Sequence, residues 1–223
     1  MKAIVLDFDG VILESVDIKT QAFHHLFKSY GEKIEDIVRL HKDMTGISRY
    51  EKFRMIYRNI LREPLAESEA KRLGQEFSAF VGCDIYTCPF VPGAREFLEE
   101  QSRRLPIFIV SGTPEDELKE IVAQRNLGQY CRGVYGSPRT KDLLLRQVLS
   151  DNSWRPQEVV FVGDAMTDYQ AAGEVGVSFV GRVAAGESSP FPDSVQWVVP
   201  DLKRLTDQWD TIVMHLGRSP GRL

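Results

Sequence analysis

Four short apolar runs rich in β-branched residues punctuate the chain: AIVLDF (3–8), LPIFIVSG (105–112), EVVFVGD (158–164) and VSFVGRV (177–183), with a weaker one at VQWVV (195–199). Helical patterns lie between several of them, and strands that alternate with helices in this way line up in a parallel sheet covered on both faces. The alternation predicts an α/β fold with a Rossmann-like parallel sheet core. TPED (113–116) adds a helix start, with Thr113 at the N-cap, Pro114 at the first helical position and Asp116 three residues on from the cap.

Residues 14–84 break the alternation. SVDIKTQAFHHLFKSYG, EDIVRLHKDMTG, SRYEKFRMIYRNILRE and ESEAKRLGQEFSAFVG carry helical spacing and no strand-like run. This predicts an all-helical insert, 14–84, between two pieces of one core, 1–13 and 85–223. The core resumes near CPFVPGAREFLEEQ, where two prolines and a glycine precede a fresh helix at about Gly93. Phe23, Phe27, Phe53 and Tyr57 recur at helical spacing and read as the packing of the insert. The terminal GRSPGRL reads as a loose end.

With 43% apolar and 27% charged residues and a net charge of −4, the composition is that of a globular protein. It offers no general basic surface for nucleic acid or anionic lipid. No stretch is apolar for long enough to span a bilayer, and the chain runs directly into its first strand, so a cytoplasmic location is expected. Cys83, Cys88 and Cys131 form neither an even set nor a C-x-x-C pair, and are expected to be reduced.

In a parallel α/β sheet a ligand sits outside the carboxyl ends of the strands. The residues that close the apolar runs there are Asp7 and Asp9, Ser111, and Asp164. A lone Ser-Gly or Gly-Asp reads as a turn or cap. Asp7 and Asp9 demand more, because a carboxylate at the end of a buried run must be paired, hydrogen-bonded or metal-bound to avoid a penalty of several kcal/mol. Carboxylates without His or Cys are hard oxygen ligands that suit Mg²⁺ rather than zinc, and Mg²⁺ suggests phosphate. VSGTP supplies the Ser111 hydroxyl and main-chain N–H groups near Gly112 and Thr113 for an anion. In SPRTKDLLLRQVL a helix starts at about Thr140 with Lys141 in its first turn, where the helix dipole disfavours a cation, so an anionic neighbour is expected.

DFDGVIL, VSGTP, RTK and VGDAMTD are similar, in order, to the four motifs of the haloacid dehalogenase-like superfamily, and the insert resembles that family's four-helix cap. Many relatives follow the third-motif lysine with Pro-x-Pro; here the sequence is RTKDLL, and Arg139 competes with Lys141 for that position, the lysine fitting by residue type. The resemblance implies that Asp7 is a nucleophile forming an aspartyl-phosphate and that Asp9 protonates the leaving oxygen and then activates water. It further implies that Mg²⁺ is held by Asp7, the Asp9 carbonyl and Asp164, that Asp168 supports the metal or the lysine, and that Lys141 adds positive charge. Neighbouring negative charge would raise the Asp9 pKa, and Mg²⁺ would lower it.

The implied activity is Mg²⁺-dependent hydrolysis of a small phosphorylated metabolite, sugar phosphates among the candidates. The cap closes over the site and presents Arg49, Lys52 or His24 for specificity. TGISRYEKF is also similar to the Gly-x-Ser-Arg turn in the cap of β-phosphoglucomutase, where Arg49 would grip the phosphate that is not transferred; Ser48 with Glu51 equally makes a capping box with Arg49 in solvent. True dehalogenases do not match at Asp9. Phosphonate-cleaving relatives use a cap lysine, and none of Lys19, Lys28, Lys33, Lys42 and Lys52 stands out. A non-catalytic binding or regulatory module is the remaining class, and a monomer and a homodimer are both open.

Overall fold

The computed structural model describes residues 1–216; the GRSPGRL tail, 217–223, lies outside the described residues. Six strands form one parallel sheet: β1 (Ala3–Leu6), β2 (Ile107–Pro114), β3 (Gly133–Ser137), β4 (Val159–Gly163), β5 (Ser178–Arg182) and β6 (Val198–Val199). Their spatial order is β3-β2-β1-β4-β5-β6. β1 pairs with β2 on one side (Ile4 beside Ile107) and with β4 on the other (Ile4 beside Val160).

Along β1 the side chains alternate between two cores. Ile4 and Leu6 join Ile107, Ile109 and Val162 against α5 (Ala94–Ser102), α6 (Glu115–Gln124) and α9 (Leu202–Leu216). Ala3 and Val5 face α7 (Lys141–Asn152) and α8 (Met166–Val175) through Leu144, Val148 and Ala172. Both faces of β1 are therefore dry, and its backbone is held rigid where the carboxylates begin.

The insert is all helical: α1 (Val16–Phe27), α2 (Lys33–Asp43), α3 (Arg49–Ile56), which continues as a π-helical turn to Leu61, and α4 (Glu67–Thr87). Phe23, Phe27, Phe53 and Tyr57 belong to its core with Phe77. α4 runs three residues beyond the expected boundary at 84, because no breaker intervenes before Cys88 and Pro89. The two crossings between core and cap lie side by side. Leu13 bridges Phe90 antiparallel, the Glu14 N–H donates to the Pro89 carbonyl at 3.0 Å, and the Val91 N–H to the Ile12 carbonyl at 3.0 Å.

Two local expectations change. β3 was not among the expected strands: GVYGS is interrupted by glycines and lies at the sheet edge, so its apolar signal is thin. The helix expected to begin at Pro114 starts at Glu115, and Thr113 remains in β2. Its hydroxyl does not cap the helix, because it is turned to Asp9 instead.

Candidate active site

The order of the sheet reverses between β1 and β4, and crevices at such a switch point are where α/β sheets bind ligands. Asp7 and Asp9 follow β1 there, Asp164 follows β4, and Ser111 lies in β2 directly after Val110, where the register with β3 shifts. Gly10 follows at φ +74°, a conformation open to glycine. A Cβ on Gly10 would lie 2.1 Å from Asp164 Oδ2, so the glycine also makes room for the third carboxylate. Gly10→Ala is expected to cost about 1–3 kcal/mol through left-handed strain alone and to displace Asp164. Chemical denaturation, together with loss of any Mg²⁺-induced rise in melting temperature, checks both effects.

Asp7 is 2% exposed. Its Oδ1 accepts the Phe8 N–H at 2.7 Å and its Oδ2 accepts from Lys141 Nζ at 2.8 Å. Lys141 reaches across from the first position of α7 and also donates to Asp168 Oδ1 at 2.5 Å. The anionic partner expected for a cation at a helix start is thus a pair of acids. The other Asp168 oxygen accepts the Ala165 N–H at 3.1 Å, so Asp168 serves α8 as a cap and Lys141 as a counterion at once. Arg139 is exposed and pairs with Glu115 and Gln147, away from the carboxylates.

One carboxylate oxygen each from Asp7, Asp164 and Asp168 lies within 4.8 Å of the others. Three carboxylates against the single Lys141 ammonium leave two uncompensated negative charges. Burial pushes the Asp7 carboxyl up to about 7; Lys141 opposes the rise, and Asp168 and Asp9 add to it. Burial, then Asp7 and Asp168, hold Asp164 well above the ordinary carboxylate range. Burial works against the Lys141 ammonium, but Asp168 and Asp7 outweigh it and raise its pKa. Asp164 Oδ1 is buried with no hydrogen-bond partner among the described residues. A hard divalent cation fits this set: it supplies the missing charge and the missing partner.

Asp9 belongs to a different constellation. Its Oδ1 accepts from the Ser15 hydroxyl at 2.5 Å, and its Oδ2 from Lys19 Nζ at 2.5 Å and the Thr113 hydroxyl at 2.9 Å. Burial alone would raise the Asp9 pKa, yet the Lys19 ammonium and these hydroxyls hold it below its ordinary value. Both Asp9 carboxylate oxygens are thus engaged by Ser15, Lys19 and Thr113, and the side chain is not part of the three-acid cluster.

A cavity of about 560 Å³, part of it open to solvent, is lined by Asp7 and Asp9 from the core and by Lys19, His41, Arg49 and Lys52 from the cap. Ser111 and Gly112 also line it; the Ser111 oxygen accepts the Thr113 N–H at 3.2 Å, which leaves its hydroxyl proton to donate. Several side-chain contacts dock the cap on the core, among them Ser78, which donates to Glu117 at 2.8 Å. Lys19 donates to Thr113 as well as to Asp9. Thr167 donates to the Thr45 carbonyl at 2.8 Å. Arg49 pairs with Glu117 at 2.5 Å and donates to Ser78 at 2.9 Å.

Arg49 is thus not in solvent; it is buried at the cavity wall, its guanidinium over the Phe77 ring. Ser48 caps α3 through the Tyr50 N–H, while Glu51 pairs with Arg54, so the capping box is half made. His24 is exposed and does not line the cavity, because the face of α1 that packs inward carries Val16, Lys19 and Phe23. The cavity histidine is His41. Its signal was its place four residues after Ile37, the other buried position of α2.

Residues 4–182 match the family described as haloacid dehalogenase-like hydrolase. The chain belongs to the haloacid dehalogenase-like hydrolase family. Within it, the chain is 25% identical to the phosphorylated carbohydrates phosphatase of Thermotoga maritima over 189 residues, 79% of this chain and 82% of that one. It is 26% identical to the phosphoglycolate phosphatase of Synechococcus elongatus over 181 residues, 79% of this chain and 81% of that one. The crystal structure of a hydrolase from Pseudomonas syringae has the same fold, with a TM-score of 0.77 at 18% identity, over 95% of this chain and 99% of that one. Among the described residues no helix is long and apolar enough to cross a membrane.

Proposed function

We propose that this haloacid dehalogenase-like hydrolase is a Mg²⁺-dependent phosphatase of a small phosphorylated metabolite, working through an aspartyl-phosphate on Asp7. The observation that carries the reading is the Asp7 carboxylate, clamped by Lys141 within a cluster of three acids and lining a cavity between core and cap that Asp9 also lines. Asp7 attacks phosphorus and the ester P–O bond breaks. Asp9, which its partners hold ionised at rest, takes up the proton carried by the monoanionic form of the ester and gives it to the departing alkoxide. Asp9, now ionised, takes a proton from a water that attacks the aspartyl-phosphate, releasing inorganic phosphate and restoring Asp7. Lys19, Ser15 and Thr113 stabilise the ionised form of Asp9, the form needed in that second half.

Asp7, Asp164 and the Asp9 main-chain carbonyl would hold Mg²⁺, with Asp168 behind them through Lys141. When bound, the ion supplies positive charge against the repulsion between a carboxylate nucleophile and an anionic phosphoryl group. Lys141 keeps the Asp7 oxygen in place, while the Ser111 hydroxyl and the Gly112 main chain offer donors to the phosphoryl oxygens. The cap covers the site, and the names of the two curated relatives suit a small phosphorylated substrate. The mutase alternative asked Arg49 to grip a second phosphate; its pairing with Glu117 and Ser78 favours hydrolysis instead. The three free cysteines suit the reducing cytoplasm.

Phosphate release from a panel of phosphorylated metabolites, with Mg²⁺ and after chelation, tests the reading. Release from at least one compound, abolished by chelator and restored by Mg²⁺, is expected. Release that is indifferent to the metal would overturn the ion's role, and no release from any compound would overturn the phosphatase.

A further inference from the structure

Lys19, Arg49 and Lys52 are the cap cations that line the cavity, and they are not equivalent. Lys19 is matched by Asp9, and Arg49 by Glu117. Lys52 is 4% exposed and has no carboxylate partner among the described residues. Its Nζ lies 3.1 Å from His41 Nδ1 and 3.1 Å from the His41 carbonyl.

The chemistry around His41 fixes what that contact means. The Thr20 hydroxyl donates to the Val16 carbonyl at 3.0 Å, so its oxygen is left to accept from His41 Nε2, 3.2 Å away. With the proton on Nε2, Nδ1 is bare and accepts from Lys52. Burial, together with the Lys52, Lys19 and Lys42 charges, pushes the His41 pKa down to about 3, so the ring remains a neutral acceptor. The ring also stacks on Phe23, with centroids 4.2 Å apart. An ammonium has three N–H groups, and two of those on Lys52 are taken by His41. The ammonium also lies over the Phe23 ring, 5.6 Å from its centroid, and its third N–H has no hydrogen-bond acceptor among the described residues, on a side chain that lines the same cavity as Asp7.

A buried cation without a counterion is costly; no described residue supplies one to Lys52, and an anionic ligand in the cavity would. Burial, then Lys19 against it, Asp9 for it, Lys141 against it and Asp164 for it, together push the Lys52 amine down to about 7. We propose that Lys52, oriented by His41, receives a second anionic group of the substrate, a carboxylate or a second phosphate, at the end away from the phosphate that Asp7 attacks. Lys52 determines specificity and His41 positions it. The assignment rests on the phosphatase reading and narrows its substrates to phosphomonoesters with a charged tail.

Phosphonates bind without turning over, so they separate this assignment from catalysis. Calorimetry on the Mg²⁺-loaded protein compares ethylphosphonate, whose tail is uncharged, with phosphonoacetate, which carries a carboxylate, and 1,3-propanebisphosphonate, which carries a second phosphonate. At least one charged-tail probe is expected to bind roughly 10-fold or more tightly than ethylphosphonate, an increment of about 1.4 kcal/mol, and the tighter of the two identifies the anion. Lys52→Met keeps the side-chain length and removes the charge, and is expected to bring that affinity ratio to within about 2-fold of unity. His41→Phe should lose the preference, whereas His41→Asn, which restores an acceptor near Nδ1, should keep it. That rescue is not expected of a residue that only packs.

Equal binding of the three probes, binding of none of them, or a preference that survives Lys52→Met in a protein with wild-type circular dichroism would overturn the assignment. Phosphate release from esters regardless of their tails would remove the charged-tail site and leave the phosphatase. A probe preference without phosphate release from any ester would do the reverse.

Discussion

Asp7→Asn is expected to abolish phosphate release, with kcat falling by roughly 10⁴-fold or more, while the fold survives. The amide has nearly the same shape, and its carbonyl can still accept the Phe8 N–H that Asp7 Oδ1 accepts at 2.7 Å. What it lacks is the anionic oxygen that attacks phosphorus. Stability should change little, since burial already draws the metal-free Asp7 carboxyl up to about 7, so an uncharged group at this position is well tolerated. Phosphate release and a melting curve on the same preparation check both statements. Turnover within about tenfold of wild type would remove Asp7 from the nucleophile's role.

Lys141→Met is expected to be the most destabilising single change in the site. It leaves Asp7 and Asp168, which lie 2.8 and 2.5 Å from the ammonium, without their shared cation next to Asp164. Breaking a buried ion pair from one side costs roughly 3–5 kcal/mol, which for a chain of this size lowers the melting temperature by roughly 10 °C. The pH dependence has a definite sign. A carboxyl whose folded-state pKa lies above its unfolded value contributes stability at low pH that is lost as pH rises through the folded pKa. Asp7 and Asp164 are already raised, and losing Lys141 raises them further. The deficit should therefore be largest near pH 8 and shrink toward pH 5.5, and thermal melts across that range read it directly. A deficit that grows on acidification would contradict the cluster's electrostatics. Turnover should also fall, by roughly 10²–10³-fold, the scale of removing one charged donor.

The residues that carry this argument differ in how openly the sequence displayed them. Asp7, Asp9, Ser111 and Asp164 were legible because they end apolar runs, and in a parallel sheet those ends converge. Lys141 was legible as a cation placed against a helix dipole. Thr113 was misread, because a threonine before Pro-Glu-Asp has the local signature of a cap while its hydroxyl belongs to a contact with Asp9 across 104 positions. Lys19 and His41 carried a weaker signal: each is a polar residue on the buried side of a cap helix, at three or four residues from apolar neighbours. Arg49 could be placed correctly only with Glu117 in view, a partner on the other domain. What local pattern cannot contain is the docking of cap on core, and that docking decides which cap cations are spent and which remain available.

The paired crossings between core and cap have a further consequence. Leu13 and Phe90 meet as antiparallel neighbours, with hydrogen bonds from Glu14 to Pro89 and from Val91 to Ile12. The core thus closes this loop at its base, at a separation a tight turn could span, whatever is threaded between the two ends. Because the entropy of closing a loop grows only slowly with its length, the core barely registers the size of the insert. One scaffold of sheet and carboxylates can carry caps of different length and lining, and a change of substrate need not disturb the residues that perform the chemistry.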